Sequence, residues 1–190
     1  MILGLYEPKE GVVMVDGTDI RQIDPKDLRN ATGYIAQDII LFQGTVRDNI
    51  TASHPDAEDD AILACAKNAG VDEFIARHPL GYDAQVGERG ANFSGGQRQA
   101  IAFARAMITE PNILVCDEPT NAMDTQAEQA FCRYVNEQIE GKTLVLVTHK
   151  HSMMQMVDRL ILVHQGEVVM DGPRDDVINA LKSGSVKGKA

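Results

Sequence analysis

Two adjacent acidic side chains close a short apolar run in the second half of the chain. Asp117 and Glu118 directly follow residues 113–116, which read Ile-Leu-Val-Cys. A continuously apolar run of this length is typical of a strand buried on both faces of a parallel sheet. Ligands bind at the carboxyl ends of such strands, and a buried carboxylate pair is costly unless it meets a cation or a proton. Mg²⁺ held together with a nucleotide is the natural occupant.

A serine and two glycines stand directly before a helical pattern. Ser94, Gly95, Gly96 and Gln97 precede apolar residues at helical spacing through residues 100–107. Ser94 and Gln97 have the S-x-x-Q spacing of a capping box, which indicates a purely structural helix start. The glycines favour a second interpretation, because they let backbone N–H groups approach an anion at the positive end of a helix dipole. The residues alone leave both interpretations open.

Five motifs in a fixed order resemble those of the ATP-binding domain of ABC transporters, and the resemblance covers nearly the whole chain. In chain order they are Gln37 in a Q-loop-like segment, Ser94 to Gln97 as the signature, Asp117 and Glu118 at the end of a Walker B strand, Asp124 in a D-loop, and His149 as the switch histidine. The resemblance implies an ABC-type ATPase that uses ATP and Mg²⁺.

The fold that the resemblance implies is an α/β, P-loop NTPase-like (RecA-like) core with an antiparallel β piece and an ABC-specific helical subdomain. Residues 12–15 with the following Asp-Gly predict the antiparallel piece, and helical spacing over residues 56–76 predicts helices of the subdomain. We expect residues 1–190 to form one partial ATPase domain. Its helical subdomain would occupy about residues 46–96, the core residues 97–182 and a flexible tail residues 183–190.

The second half of the chain predicts a strand, a helix and a strand in succession. The apolar runs at 113–116 and 144–147 are both expected to be buried strands, joined by a helix over residues 127–135 that Asp124 could cap. Residues 159–170 predict a hairpin, and Pro173 is expected to begin a last short helix.

The resemblance implies the chemistry of each motif. Asp117 would hold Mg²⁺ through its water shell, and Gln37 would contact the metal and sense the γ-phosphate. Glu118 would polarise the attacking water, and His149 would stabilise the γ-phosphate and link it to that glutamate.

The remaining motifs are implied to face partners. Ser94, Gly95, Gly96 and Gln97, together with Asp124, would close on ATP held by a second ABC ATPase domain, most simply in a homodimer. Glu88 would pass the movement to a transmembrane domain, expected on the same native polypeptide. The chain would therefore work at the cytoplasmic face of the bacterial inner membrane.

Several segments narrow the resemblance to exporters. Residues 41–50 and 86–90 look like exporter sequences, while residues 78–83 and 121–124 resemble type I secretion ATPases. They imply export of proteins or peptides. An ABC protein of DNA repair or translation is disfavoured, because such proteins carry long insertions or basic surfaces.

The phosphate-binding pattern G-x-x-x-x-G-K-[ST] does not occur in this sequence. Residues 1–8 resemble the end of the helix that follows that loop, so we expect an N-terminally truncated domain that does not hydrolyse ATP by itself. The alternative is a non-catalytic fragment that acts only as a dimerisation or regulatory partner.

Composition excludes several other classes. The chain has 28 acidic and 18 basic residues, a net charge of −10, which argues against binding to nucleic acid. No apolar stretch approaches the roughly 20 residues that span a bilayer. Cys65, Cys116 and Cys132 are far apart, so neither a disulfide framework nor a zinc site is indicated, and a reducing cytoplasm fits best.

Overall fold

The computed structural model of the chain describes residues 1–121 and 123–183. Its contacts divide the chain into two compact units, one formed by Met1–Val145 and the other beginning at Leu146. Residues 184–190 of the predicted tail lie outside the described residues, as does Ala122 beside the D-loop-like segment. The finer division at residues 46–96 and 97–182 stays a prediction.

The first unit opens with a small antiparallel pair of strands. Strand β1 (Met14–Val15) pairs with β2 (Thr18–Asp19) in antiparallel register. The turn residues Asp16 and Gly17 have φ angles of 48° and 78°, and a two-residue hairpin with a type I′ turn requires such positive values at both central positions. The Asp-Gly sequence supplies them, so the predicted antiparallel piece is confirmed.

A parallel sheet forms the centre of the fold. Its strands are β3 (Thr32–Ile35), β4 (Ile113–Asp117) and β5 (Thr143–Val147), in the spatial order β3-β4-β5. β4 pairs in parallel with β3, and its residues 114–116 are at most 8% exposed. This confirms the buried strand before Asp117.

Strand β5 departs from the prediction. Its residues are partly exposed, and Val147 is 53% exposed. The apolar run correctly predicted a strand, but its burial on both faces is wrong. β5 has an outer place in the described sheet, whereas β4 has a neighbouring strand on each side.

The described residues of the first unit form six α-helices. They are α1 (Pro25–Asn30), α2 (Val46–Ile50), α3 (Asp59–Asn68), α4 (Asp72–Ile75), α5 (Gly95–Met107) and α6 (Thr125–Gln138). The helical pattern predicted over residues 56–76 is thus two helices. Gly70 ends the first of them with a φ of 73°, and a Cβ there would lie only 2.5–2.6 Å from atoms of the Tyr134 ring and hydroxyl. The break is therefore fixed both by backbone conformation and by close packing against α6.

Helix α5 forms the centre of the core. It packs against β3, α2 and α3, and its Ile101 and Phe103 are at most 1% exposed. The rings of Phe103 and Phe131 meet edge to face with centroids 5.7 Å apart, which joins α5 to α6. Apolar burial along α5 thus holds the helix that the signature residues begin.

The second unit contains α7 (His151–Met154), β6 (Arg159–His164), β7 (Glu167–Pro173) and α8 (Arg174–Lys182). β6 and β7 pair antiparallel, which confirms the predicted hairpin. The last helix starts at Arg174 with Pro173 at its N-cap, one residue later than predicted. Among the described residues, no helix combines the length and apolar character needed to cross a membrane.

Candidate functional site

The carboxyl end of β4 carries the predicted acidic pair in a tight turn. Asp117 is the last residue of the strand, and both Asp117 and Glu118 are half-buried. Glu118 has a φ of 44°, which is uncommon for a residue other than glycine. Its carbonyl accepts the N–H of Asn121 at 3.2 Å, which closes the turn. Backbone strain of this kind concentrates at functional sites, where it directs a side chain.

The cysteine before this pair is chemically quiet. Cys116 is 1% exposed, and burial raises the pKa of its thiol to about 12. The thiolate is the reactive form of cysteine, so Cys116 is unreactive at neutral pH. This agrees with its interpretation as a small buried hydrophobe.

Gln37 lies at the same edge of the sheet as the acidic pair. The register pairs Ile35 with Cys116, and β3 and β4 run parallel. Gln37 follows Ile35 by two residues just as Glu118 follows Cys116, and its side chain is exposed. The sheet therefore brings together the chain segments that carry Gln37, Asp117 and Glu118.

The signature segment begins helix α5 with a complete capping box. The N–H of Gln97 donates to the Ser94 hydroxyl oxygen at 3.3 Å, and the N–H of Ser94 donates to the Gln97 side-chain oxygen at 2.9 Å. The structural interpretation of this motif is confirmed. It does not exclude the functional one, because a hydroxyl that accepts a hydrogen bond keeps its own hydrogen for donation to an anion.

One of the two glycines in the signature segment has a packing role. A Cβ added at Gly96 would lie 3.2 Å from the Cβ of Ala127, a separation tighter than most packed side chains adopt. Gly96 therefore lets α6 approach the start of α5. The N–H groups of Gly95 and Gly96 lie in the first turn of α5, where N–H groups have no partner within the helix.

Asp124 and the signature segment share one cavity. The Asp124 carboxylate caps α6 by accepting the N–H of Ala127 at 2.8 Å. A cavity of about 880 Å³ is lined by Ser94, Gly96, Gln97 and Asp124, together with residues of α4 and α6. The structure thus brings together two segments that lie 27 residues or more apart in the sequence.

Glu88 and His149 are not among the residues that line this cavity. Glu88 begins a short 3₁₀ turn, Glu88–Gly90, and is exposed. His149 follows β5 in the second unit and is also exposed. The roles of Glu88 in coupling and of His149 beside Glu118 stay predictions.

The acidic edge fits a metal ion that arrives with a nucleotide. Among the described residues, no group of three His, Cys, Asp or Glu side chains is arranged to hold a metal ion. Mg²⁺ commonly keeps several waters and is held by one or two carboxylates with phosphate oxygens. Asp117 and Gln37, at neighbouring strand ends, match that kind of site better than an all-protein cage.

Comparison with known proteins now decides the family. The ABC transporter family model matches residues 1–121. The chain belongs to the ABC transporter family. It is 40% identical over 182 residues to multidrug resistance protein 3 of Entamoeba histolytica, covering 94% of this chain and 14% of that protein. It is 38% identical over 178 residues to the toxin RTX-I translocation ATP-binding protein of Actinobacillus pleuropneumoniae, covering 94% of this chain and 25% of that one.

A solved structure supports the fold assignment. A bacterial Atm1-family ABC exporter with ATP bound superposes with a TM-score of 0.87 at 35% identity, covering 94% of this chain and 31% of the exporter chain. The α/β, P-loop NTPase-like fold is confirmed for this partial ABC transporter domain. It spans less than a third of the length of each of these three proteins.

Sequence reasoning missed a buried asparagine and a half-buried arginine of this ABC transporter domain. Asn49 in α2 is 0% exposed, and it is bonded to Arg105 in α5. The two residues are 56 positions apart, so no local spacing relates them. An asparagine inside an otherwise apolar helix face was the single available signal, and it does not identify a partner.

Proposed function

We propose that this domain couples ATP binding and hydrolysis to export by an ABC transporter, with a protein or peptide as the exported substrate. The observation that carries the proposal is the shared cavity, where Ser94, Gly96 and Gln97 at the start of α5 meet Asp124 at the start of α6. A helix N-terminus with two glycines and a serine hydroxyl suits a phosphate group. Both helices are capped, so these groups are held in place before a ligand arrives.

Each predicted residue keeps its role in this proposal. Asp117 and Gln37 would hold Mg²⁺ with the nucleotide, and Glu118 would polarise the attacking water. The turn at Glu118 supports this role, because its positive φ directs the residue after the strand away from the strand path. His149 would complete the γ-phosphate contacts.

The signature segment would act on ATP held by a second ATPase domain. Ser94 is exposed, and Gly95, Gly96 and Gln97 are half-exposed, so they are available to a partner. Glu88, also exposed, would contact a transmembrane domain, which would place the site on the cytoplasmic side of a membrane. Export of proteins is favoured by relatives named as RTX-I toxin and leukotoxin translocation proteins, although others carry multidrug resistance names.

The experiment that tests the proposal supplies the second domain. The partner is the ATPase domain of the Actinobacillus toxin translocation protein, with an intact phosphate loop and its own signature serine replaced by arginine. Alone it should be inactive. Adding this chain should restore ATP turnover by on the order of tenfold or more, because Ser94 then completes the partner's site.

Two variants control that assay. Ser94→Arg should remove the restored turnover, because a long cation would block the helix N-terminus. Ser53→Arg makes the same change at another exposed serine and should keep it. If cross-linking detects no mixed dimer, or if turnover is indifferent to Ser94→Arg, the proposal is wrong.

A second partner separates catalysis from a purely regulatory role. This partner keeps its signature but lacks its catalytic glutamate, so turnover must come from this chain's own residues. Since this sequence contains no G-x-x-x-x-G-K-[ST] pattern, we expect no turnover in this pair from residues 1–190 alone. Turnover that disappears in Glu118→Gln would contradict that expectation and assign hydrolysis to these residues. Activity with the first partner and none with the second fits a chain that only completes the partner's site, as the non-catalytic alternative requires.

Protein export is tested by exchange. Residues 1–182 replace the matching segment of the toxin translocation protein, and toxin in the medium is measured. We expect more release than with the matching segment of the Entamoeba multidrug protein. Equal or lower release would contradict the narrower proposal and leave the ATPase proposal standing.

A further inference from the structure

A buried hydrogen-bond cluster joins the C-terminal half of α5 to the segment that follows Gln37. The side-chain oxygen of Asn49 accepts the N–H of Phe42 at 2.8 Å. Its side-chain N–H groups donate to the carbonyls of Phe42 and Thr45, both at 2.9 Å. A side chain that is 0% exposed thereby fixes the loop before α2.

Arg105 binds the same asparagine through two separate nitrogens. Its Nε donates to the Asn49 carbonyl at 2.8 Å, and its Nη2 donates to the Asn49 side-chain oxygen at 2.7 Å. A third bond, from Nη1, reaches the carbonyl of Ile40 at 3.1 Å. The guanidinium carbon also lies 4.8 Å from the centroid of the Phe42 ring. Planar guanidinium is suited to such fixed, multiple contacts, and an ammonium group is not.

Partial burial of the Arg105 charge is unfavourable unless hydrogen bonds compensate for it. Burial lowers the pKa of Arg105 to about 10, so the group stays charged at neutral pH in a partly dehydrated place. Its three bonds go to carbonyl and amide oxygens of residues 40 and 49. These bonds help to stabilise the partly buried charge, so they link Arg105 to the positions of residues 40 and 49.

The cluster connects two parts of the proposed nucleotide site. Ile40 is three residues after Gln37, and Arg105 lies on the helix that Ser94 caps. A helix of 13 residues is roughly 20 Å of stiff rod. Holding its far half against residues 40–49 therefore restricts the position of Gln37 relative to Ser94.

We propose that Arg105, acting through Asn49, is a positioning residue that keeps the Gln37 segment and the signature helix in one fixed relation. The proposal rests on the proposed function for its consequence in turnover, but the holding itself is a property of the folded chain. No catalytic contact is assigned to either residue. The Thr45 hydroxyl and the Asp48 carboxylate cap α2 locally, whereas the Thr45 carbonyl takes part in the cluster through its bond from Asn49.

The first test measures hydrogen exchange of the whole chain by mass spectrometry. Arg105→Lys keeps the positive charge but loses the planar guanidinium with its several donors. We expect the amides of residues 38–49 to exchange about tenfold faster. Amides of β3 and β4 should change less than about threefold, because their ladder bonds are untouched. Asn49→Asp is a second, isosteric variant that removes the two side-chain donors, and it should give the same regional pattern.

Arg98→Lys is the matched control. Arg98 lies on the same helix and donates to the Phe93 carbonyl at 2.8 Å, with no bond to residues 38–49. It should leave their exchange within about twofold. Unchanged exchange in Arg105→Lys, or an increase that is equal across β3, β4 and residues 38–49, would overturn the proposal.

The second test uses the mixed pair in which the partner holds ATP. There Arg105→Lys should lower kcat about fivefold and change KM for ATP by less than about twofold, because the variant displaces the signature without touching the loop that binds ATP. A merely destabilised chain would lower the amount of active pair, which titration of the partner measures and corrects. Unchanged kcat beside faster exchange would overturn the positioning role. No turnover even in the unsubstituted pair would reject the proposed function, and the exchange result would still decide whether Arg105 holds the segment.

Discussion

The two ends of helix α5 are stabilised in opposite ways. At its start, the side chains of the exposed Ser94 and the half-exposed Gln97 each accept the backbone N–H of the other, three residues away. Near its end, Arg105 bonds residues that are 56 and 65 positions away in the sequence. The hydrogen bonds at the start of α5 are local and face solvent, whereas those near its end are long-range and partly buried.

This difference assigns ligand binding to the start of α5 and positioning of the helix to its far end. A local cap leaves the helix N-terminus open to a phosphate without depending on the rest of the fold. The partly buried Arg105 guanidinium donates hydrogen bonds to residues in other segments. A displacement of those segments therefore also affects the end of α5. We therefore expect substitutions at the far end to act mainly on stability and order, and substitutions at the start to act mainly on ligand chemistry.

The largest effect is expected for Asn49→Ala. Removal of this buried side chain leaves the N–H of Phe42, two carbonyls and part of Arg105 without their bonds in a partly buried place. We expect the free energy of unfolding to fall by about 3 kcal/mol, measured by urea denaturation with circular dichroism.

Asn68→Ala is the matched control for this change. Asn68 is exposed and makes one long bond of 3.3 Å to Gln138. Its loss should change the free energy of unfolding by less than about 0.5 kcal/mol. Similar costs for both substitutions would contradict the stabilising role given to the bonds of Asn49, including those to Arg105 near the end of α5.

A smaller stability effect is expected for Ser94→Ala. The substitution removes the cap of α5, which should cost about 1 kcal/mol of unfolding free energy. Turnover with the first partner domain should fall much further than this cost explains, because the hydroxyl would also contact phosphate. Ser94→Thr keeps a hydroxyl and should retain most of the stability. A loss of turnover no greater than the loss of folded chain would contradict a ligand role for Ser94.

The local end of α5 is also the end that the sequence could predict. The capping box, the helix after it, the buried β4 and the Asp124 cap of α6 all follow from residues within a few positions of one another. Such elements depend on propensity, hydrophobic spacing and side-chain caps, which are short-range.

Long-range features could not be predicted in the same way. The exposure of β5 depends on which strands flank it, and the break at Gly70 depends on Tyr134 in a distant helix. The bonds between Asn49 and Arg105 exist only once α2 and α5 are packed. The sheet edge that joins Gln37 to Glu118 was implied by the family resemblance, and the β3–β4 register now gives it a structural basis.

The smallest effect is expected at a second local cap, on α2. The N–H of Thr45 donates to the Asp48 carboxylate at 2.8 Å, and the N–H of Asp48 donates to the Thr45 hydroxyl oxygen at 3.0 Å. The backbone hydrogen bond from Thr45 holds the pKa of Asp48 below its ordinary value. Since the folded pKa is below the unfolded one, the ionised carboxylate stabilises the fold above about pH 4, and this contribution is lost as pH falls through the folded pKa.

Asp48→Asn therefore tests whether a local, exposed cap is weak. The substitution should cost less than about 0.5 kcal/mol at pH 7, because solvent screens the exposed carboxylate. That cost should decrease as the pH falls below about 4 in urea denaturation, because protonation removes the carboxylate. Thr45→Ala removes the hydroxyl that caps α2 and should cost about 1 kcal/mol at pH 7, more than Asp48→Asn. A cost of Asp48→Asn that matches Asn49→Ala, or that persists at low pH, would show that this cap depends on the buried cluster beside it and is not local.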